Sequence, residues 1–264
     1  MCVLKKYLSR QFQVDKLTLQ HDDASEFYLS CLQQNRSPVP LLCIRLILFL
    51  TCVGILVMSL LVDHTAFWII YMTNWGVVII TVTTGLAFAV STRAFLRGPI
   101  DSTFGLPWYL KLYWASYNIG LTAAFLITVF YYSFLYELVL ESEMESNPIT
   151  DLLTHGINSV VMFLLLITSM QPSHVLHCVY PIAVLTVYSI FNVIYYYAGG
   201  ENHLGDRFIY PMLDWSNPGL ATGVLFGCLA GVIILHVVIV LVSLLRDYLS
   251  KRYVRNIYSL SITA

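Results

Sequence analysis

Thr73 and Asn74 stand inside "FWIIYMTNWGVVIITVTTGLAFAV", a run from Phe67 to Val90 without one charged residue. A threonine hydroxyl is a poor nucleophile until a neighbouring base takes its proton, and neutral histidine suits that task near pH 7. His155 stands in a second apolar run, seven residues past Pro148. Asp151 precedes it by one helical turn, where a carboxylate could orient the imidazole and stabilise its cation. Asn74 or Asn158 could stabilise an oxyanion. Nucleophile, base, orienting group and oxyanion donor together describe acyl transfer on an ester. A plainer reading stands beside it. Threonine in a membrane helix commonly bonds a carbonyl of its own helix, and asparagine commonly ties helices together. His155 is harder to set aside, because ionisable groups within spans are rare and functional by default.

Composition says where such a site must lie. The chain has 264 residues, 58% hydrophobic and 11% charged, with a mean hydropathy of +0.74. Soluble domains carry about 25% charged residues, so this chain cannot coat a water-facing surface. A net charge of −1 carries no nucleic-acid signal. The six cysteines show neither CxxC nor zinc spacing, which leaves no metal or cofactor motif. Cys2 and Cys31 are candidate palmitoyl acceptors. The polar first forty residues do not form a secretory signal peptide.

A bilayer-crossing helix needs about 20 apolar residues. Six runs qualify: Leu41–Val62, Phe67–Val90, Pro107–Tyr132, Pro148–Met170, Leu176–Ala198 and Pro218–Leu245. The predicted fold is therefore an all-α bundle of six transmembrane helices, residues 41–245, between tails at 1–40 and 246–264. Asn147-Pro148 and Asn217-Pro218 read as caps followed by a first-turn proline, and Gly105-Leu106-Pro107 is a looser version. Gly199-Gly200 ends the fifth run. Of 14 Lys and Arg residues, all but Arg207 precede or open span one, flank the loop between spans two and three, or follow span six. The positive-inside rule then puts both termini in the cytosol of a plasma or internal membrane. The acidic stretch with Glu137, Glu141, Glu143, Glu145 and Asp151 falls on the other side. The sequon Asn35-Arg36-Ser37 lies on the cytosolic face and should stay unglycosylated. The basic tails are expected to lie near anionic lipid and to be dispensable for the bundle.

In this topology spans two and four both enter from outside. Thr73 lies roughly 9 Å deep and His155 roughly 10 Å, at 1.5 Å per residue. Asp151, His155, Asn158, Ser159 and Met162 form one helical stripe, and Asn192 and Asp214 approach the same level. A polar pocket opening outward fits them all, with membrane lipids as surroundings and a lipid ester as substrate. His236 is deep toward the cytosolic side and reads as structural. His174 and His177 read as solvated edge histidines.

Four blocks carry a resemblance. "YMTNWG" (Tyr71 to Gly76), "LPWYLKLYWASYNIG" (Leu106 to Gly120), "HGINSVVM" (His155 to Met162) and "YPMLDWSNPG" (Tyr210 to Gly219) resemble the rolling stone family over about residues 41–245. That resemblance implies a multi-pass membrane protein with a role in myoblast fusion, and hence an alternative, non-enzymatic function in joining cells through unspecified protein partners. The rolling stone family is more distantly similar to the androgen-induced and androgen-dependent membrane hydrolases. Those are six-span threonine hydrolases of fatty acid esters of hydroxy fatty acids. Their threonine follows a tyrosine-x pattern, matched by Tyr71-Met72-Thr73, and their histidine begins a histidine-glycine pair, matched by His155-Gly156. This second resemblance implies a Thr73/His155 site; Asp151, Asn74 and Asn158 come from the residues themselves. A haem protein would need histidines at matched depths, whereas His155 and His236 fall on opposite halves. A transporter would show an inverted repeat or paired broken helices, and none is apparent.

Overall fold

The computed structural model describes residues 13–63, 65–137 and 148–255. The expectations for Lys5, Lys6, Arg10 and Cys2, for Glu141, Glu143 and Glu145, for the Asn147 cap and for the last nine residues lie outside them. Six helices are long and apolar enough to cross a membrane: α1 (Val39–Val62), α2 (Met72–Arg97), α3 (Trp108–Phe130), α4 (Pro148–Thr168), α5 (Val179–Tyr197) and α6 (Pro218–Leu249). No strand occurs among the described residues beyond an isolated bridge, Ser30 to Ser169. The bundle is that of an integral membrane protein. Large apolar side chains such as Ile47, Leu50 and Leu61 on α1, and Phe226, Ile234 and Leu241 on α6, lie exposed on its outside. Such a surface is tolerable against lipid and not against water.

Helix α3 is the axis. Leu110, Tyr113, Trp114, Tyr117, Leu121 and Ala124 are fully buried along it, and it packs against α2, α4, α5 and α6. Gly120 allows close approach on this axis, because a Cβ there would stand 2.9 Å from the Thr83 hydroxyl. Several caps read from sequence are present. Asn217 accepts from the Leu220 N–H at 3.4 Å ahead of Pro218, and Gly199 adopts φ +83° past the end of α5.

The segment read as a tail is built into the bundle from Ala24 to Cys31. Phe27 is fully buried edge-on against Trp114, with ring centres 5.3 Å apart. Arg45 on α1 has no exposure, and no carboxylate pairs with it among the described residues. It donates instead to the Phe27 carbonyl (2.8 Å), the Ala87 carbonyl (3.1 Å), Ser91, Tyr113 and Ser169. One buried cation thus ties the segment to three spans and the turn after α4, with hydrogen bonds standing in for a counter-ion. Cys31 is also buried, its thiol donating to the Ile167 carbonyl, so it does not present an acylation site. Tyr180 reaches Leu17 and Ser250 reaches Cys31, which places both ends of the described chain at one end of the bundle.

Candidate functional site

The second span does not begin where hydropathy suggested. Ala66–Ile70 forms a 3-10 turn, Tyr71 is extended (φ −85°, ψ 129°), and α2 starts at Met72. A helix broken there leaves carbonyls without partners in an apolar medium, where each unmet group costs several kcal/mol by order of magnitude. Side chains meet them one by one. The Asn74 amide donates to the Trp68 carbonyl (2.7 Å), the Trp75 indole to Ile69 (2.7 Å) and the Tyr188 hydroxyl to Ile70 (2.9 Å). Trp68 and Asn74 are joined again through Ser59, which accepts from the Trp68 indole and donates to the Asn74 amide oxygen. Thr73 is therefore the second residue of a helix rather than the seventh of one beginning at Phe67. The Met72 N–H donates to the Tyr210 hydroxyl at 3.0 Å.

His155 also sits on irregular backbone. Leu152–Ile157 is a π-helical turn within α4, and Tyr131–Leu135 is another at the end of α3. Such turns are rare and recur at functional sites. They face each other: the His155 imidazole stacks on the Tyr131 ring, with centres 3.6 Å apart and planes within 11°. The His155 carbonyl accepts from Thr128, which is 2.6 Å from the Ser159 hydroxyl.

The ring's tautomer follows from its partners. Nδ1 lies 3.1 Å from the Asp151 carbonyl oxygen and 3.1 Å from the Thr154 hydroxyl. A carbonyl only accepts, and the Thr154 proton is given to the Thr150 carbonyl at 2.8 Å, so Nδ1 carries the hydrogen. Nε2 is left with its lone pair, 3.2 Å from Thr73 Oγ1. The Thr73 hydroxyl donates to the imidazole, the order that nucleophilic activation would require.

A cavity of about 670 Å³ opens at this point. Thr73, Asn74, Asp151 and His155 line it, and the loop between α5 and α6 covers it with His203 and Tyr210. His203 Nδ1 is 2.6 Å from the Tyr71 hydroxyl. The loop is held by Asn202, whose side-chain oxygen accepts from the N–H groups of Leu204 and Asp206. On the other side of Thr73 lies a small apolar pocket of about 60 Å³, bounded by Leu126, Phe130 and Leu213. Thr73, Tyr131 and Tyr210 border both spaces. Burial pushes the Tyr210 phenol above its ordinary pKa, so it stays a protonated donor beside Thr73.

The five residues read from the sequence are placed unequally. Asp151 contributes its carbonyl, not its carboxylate, to orienting His155. Asn74 spends its amide on Trp68 and Ser59. Asn158 is buried away from the cavity and donates to the Thr154 carbonyl of its own helix. The stripe breaks because a π turn shifts the phase of everything beyond it. Asn192 is likewise elsewhere, accepting from the Trp215 indole, and Asp214 caps Ser216 on a surface loop. His236 is partnered on both nitrogens: Nε2 donates to the His174 carbonyl and Nδ1 is 3.2 Å from Thr122. His177 is fully buried rather than solvated, edge-on to Trp114. Thr154, Tyr131 and Tyr210 belong to the site and were not foreseen. The first flanks His155 in sequence, and the last opens one of the four blocks carrying the resemblance. Among the described residues no group of three His, Cys, Asp or Glu side chains is disposed to hold a metal.

The rolling stone family model, described as Protein rolling stone, matches residues 2–263, extending into tails where sequence reading saw no counterpart. Protein rolling stone of Drosophila melanogaster is 29% identical over 226 residues, which cover 81% of this chain and 80% of that protein. No solved structure matches. The chain belongs to the rolling stone family.

Proposed function

For this rolling stone family member we propose a membrane-embedded hydrolase of fatty-acyl esters, with Thr73 as nucleophile and His155 as general base. One observation carries the reading: the Thr73 hydroxyl donates to an imidazole whose other nitrogen is committed to a backbone carbonyl. Thr73 Oγ attacks the ester carbonyl carbon while its proton moves to His155 Nε2. The carbonyl electron pair moves to oxygen. The donor for that oxygen is the Tyr210 hydroxyl, which is held at the start of α2 by the N–H groups of Met72 and Thr73. Collapse breaks the bond to the alcohol, which leaves with the proton from His155. Water then enters by the same base and releases the acid from the acyl-threonine. The Asp151 carbonyl and Thr154 hold the ring and favour its cation, the work that a carboxylate does in triads.

The basic residues support cytosolic termini, so the cavity opens at the outer leaflet in this proposal. A fluorophosphonate probe should label Thr73 in the purified protein. Thr73→Ala and His155→Ala should each abolish turnover of acyl esters without summing in the double variant, because the groups act as a unit. Thr73→Ser should retain measurable turnover. Absence of labelling together with unchanged turnover in Thr73→Ala would refute the site. The non-enzymatic role in cell fusion would then be the reading left.

A further inference from the structure

The charges facing the cavity have one sign. Asp63, Asp151 and Asp206 line it, and no lysine or arginine does among the described residues. Their contacts do not neutralise them. Asp63 accepts from the N–H and hydroxyl of Thr65, and Asp206 accepts from the Asn202 amide at 3.2 Å; all are neutral donors. The nearest base in sequence, Arg207, lies over the Tyr196 ring with its guanidinium beside Gly199. A second feature borders the same space. Tyr131 is only 4% exposed, lines the cavity and sets its hydroxyl beside the Asp151 carboxylate, again a neutral partner. The remaining wall includes the rings of Trp68, Tyr71 and Phe208. Aromatic faces attract cations, most of all quaternary ammonium groups.

From this we infer that the cavity selects a lipid-like ligand with a cationic head, a quaternary or protonated amine, and rejects one ending in a free carboxylate. For an ester substrate the arrangement puts the acyl carbonyl at Thr73 and the ammonium among the three carboxylates. A carboxylate-ended chain would meet the same charges as repulsion at distances where unit charges still interact by kcal/mol amounts. This assignment deepens the hydrolase reading, but head-group selection is a property of binding and can be measured without turnover.

The test uses the full-length protein in nanodiscs and three non-hydrolysable ethers of one alkyl chain, ending in trimethylammonium, hydroxyl or carboxylate. The expected result is tighter binding of the ammonium ether than of the carboxylate ether by about 30-fold at low salt, with the ratio shrinking as salt screens it. In the Asp63→Asn/Asp206→Asn variant the ratio should fall by about tenfold. Asparagine keeps an oxygen acceptor for Thr65 and Asn202, so the loops are preserved; a melting temperature close to that of the parent protein checks this. Equal or tighter binding of the carboxylate ether, or a ratio unmoved in the folded double variant, overturns the inference. The matching esters are run in parallel. Loss of turnover with the binding preference intact would refute the hydrolase and leave head-group selection standing.

Discussion

Thr154 gives the sharpest test of how the base is set. Its side chain is 4% exposed and its hydroxyl accepts from His155 Nδ1 at 3.1 Å while donating to the Thr150 carbonyl. Thr154→Val keeps the shape and removes the oxygen. Nδ1 then has one acceptor, the Asp151 carbonyl, instead of two. A buried hydrogen bond contributes about 1 kcal/mol, and up to about 3 kcal/mol when one partner is charged. The imidazole becomes charged as Thr73 attacks, so the loss should fall mainly on the transition state. One to two kcal/mol corresponds to a fall in kcat of about 5- to 30-fold, since 1.36 kcal/mol is a factor of ten. KM should stay within about twofold, because the bond is present alike in free and substrate-bound protein and strengthens only in the transition state. Thr154→Ser should restore most of the rate. The assay is steady-state ester hydrolysis in nanodiscs with substrate varied through KM. An unchanged kcat in a folded Thr154→Val protein would refute the two-acceptor account. A loss above a thousandfold would mean that Thr154 itself reacts.

Other outcomes follow from the packing. Phe27→Ala should destabilise the protein by about 3–5 kcal/mol, read as a fall in melting temperature, because Phe27 is fully buried against Trp114; a surface tail would show no change. Arg45→Met should expose residues 13–37 to protease, since the guanidinium joins the Phe27 carbonyl to α2 and α3; unchanged cleavage would argue against that tie. A tag inserted at position 143 should be digested from outside sealed cells, and digestion only after permeabilisation would reverse the orientation.

The spans were legible because bilayer thickness sets a length that hydropathy reports directly, and the pairing of Thr73 with His155 was legible because both runs enter from the same side. Their depth was not. Apolarity continues from Phe67 through Ile70, so nothing in hydropathy marks the extended residue at Tyr71; only the cluster of Trp68, Asn74 and Trp75 hints at carbonyls needing donors. The π turn at Leu152–Ile157 leaves no composition signal at all, and by shifting phase it removed Asn158 from a stripe that ordinary helical spacing had drawn. Arg45 departs for a different reason. It counts among the basic residues that set orientation, and its burial depends on carbonyls contributed by segments far away in sequence.

The polar residues of the second run divide by what the broken backbone demands. Had a regular helix begun at Phe67, the Thr73 N–H would bond the Ile69 carbonyl, and the hydroxyl could bond back to the same turn. The break at Tyr71 removes that carbonyl, which the Trp75 indole takes instead. Asn74 takes the Trp68 carbonyl in the same way. Neighbouring side chains thus absorb the backbone's unmet acceptors, which leaves the Thr73 hydroxyl to Tyr210 and His155. Asn74→Ala should accordingly reduce turnover by unravelling the start of α2, with the melting temperature falling alongside it. Loss of kcat at unchanged stability would instead return Asn74 to the oxyanion role that sequence alone suggested.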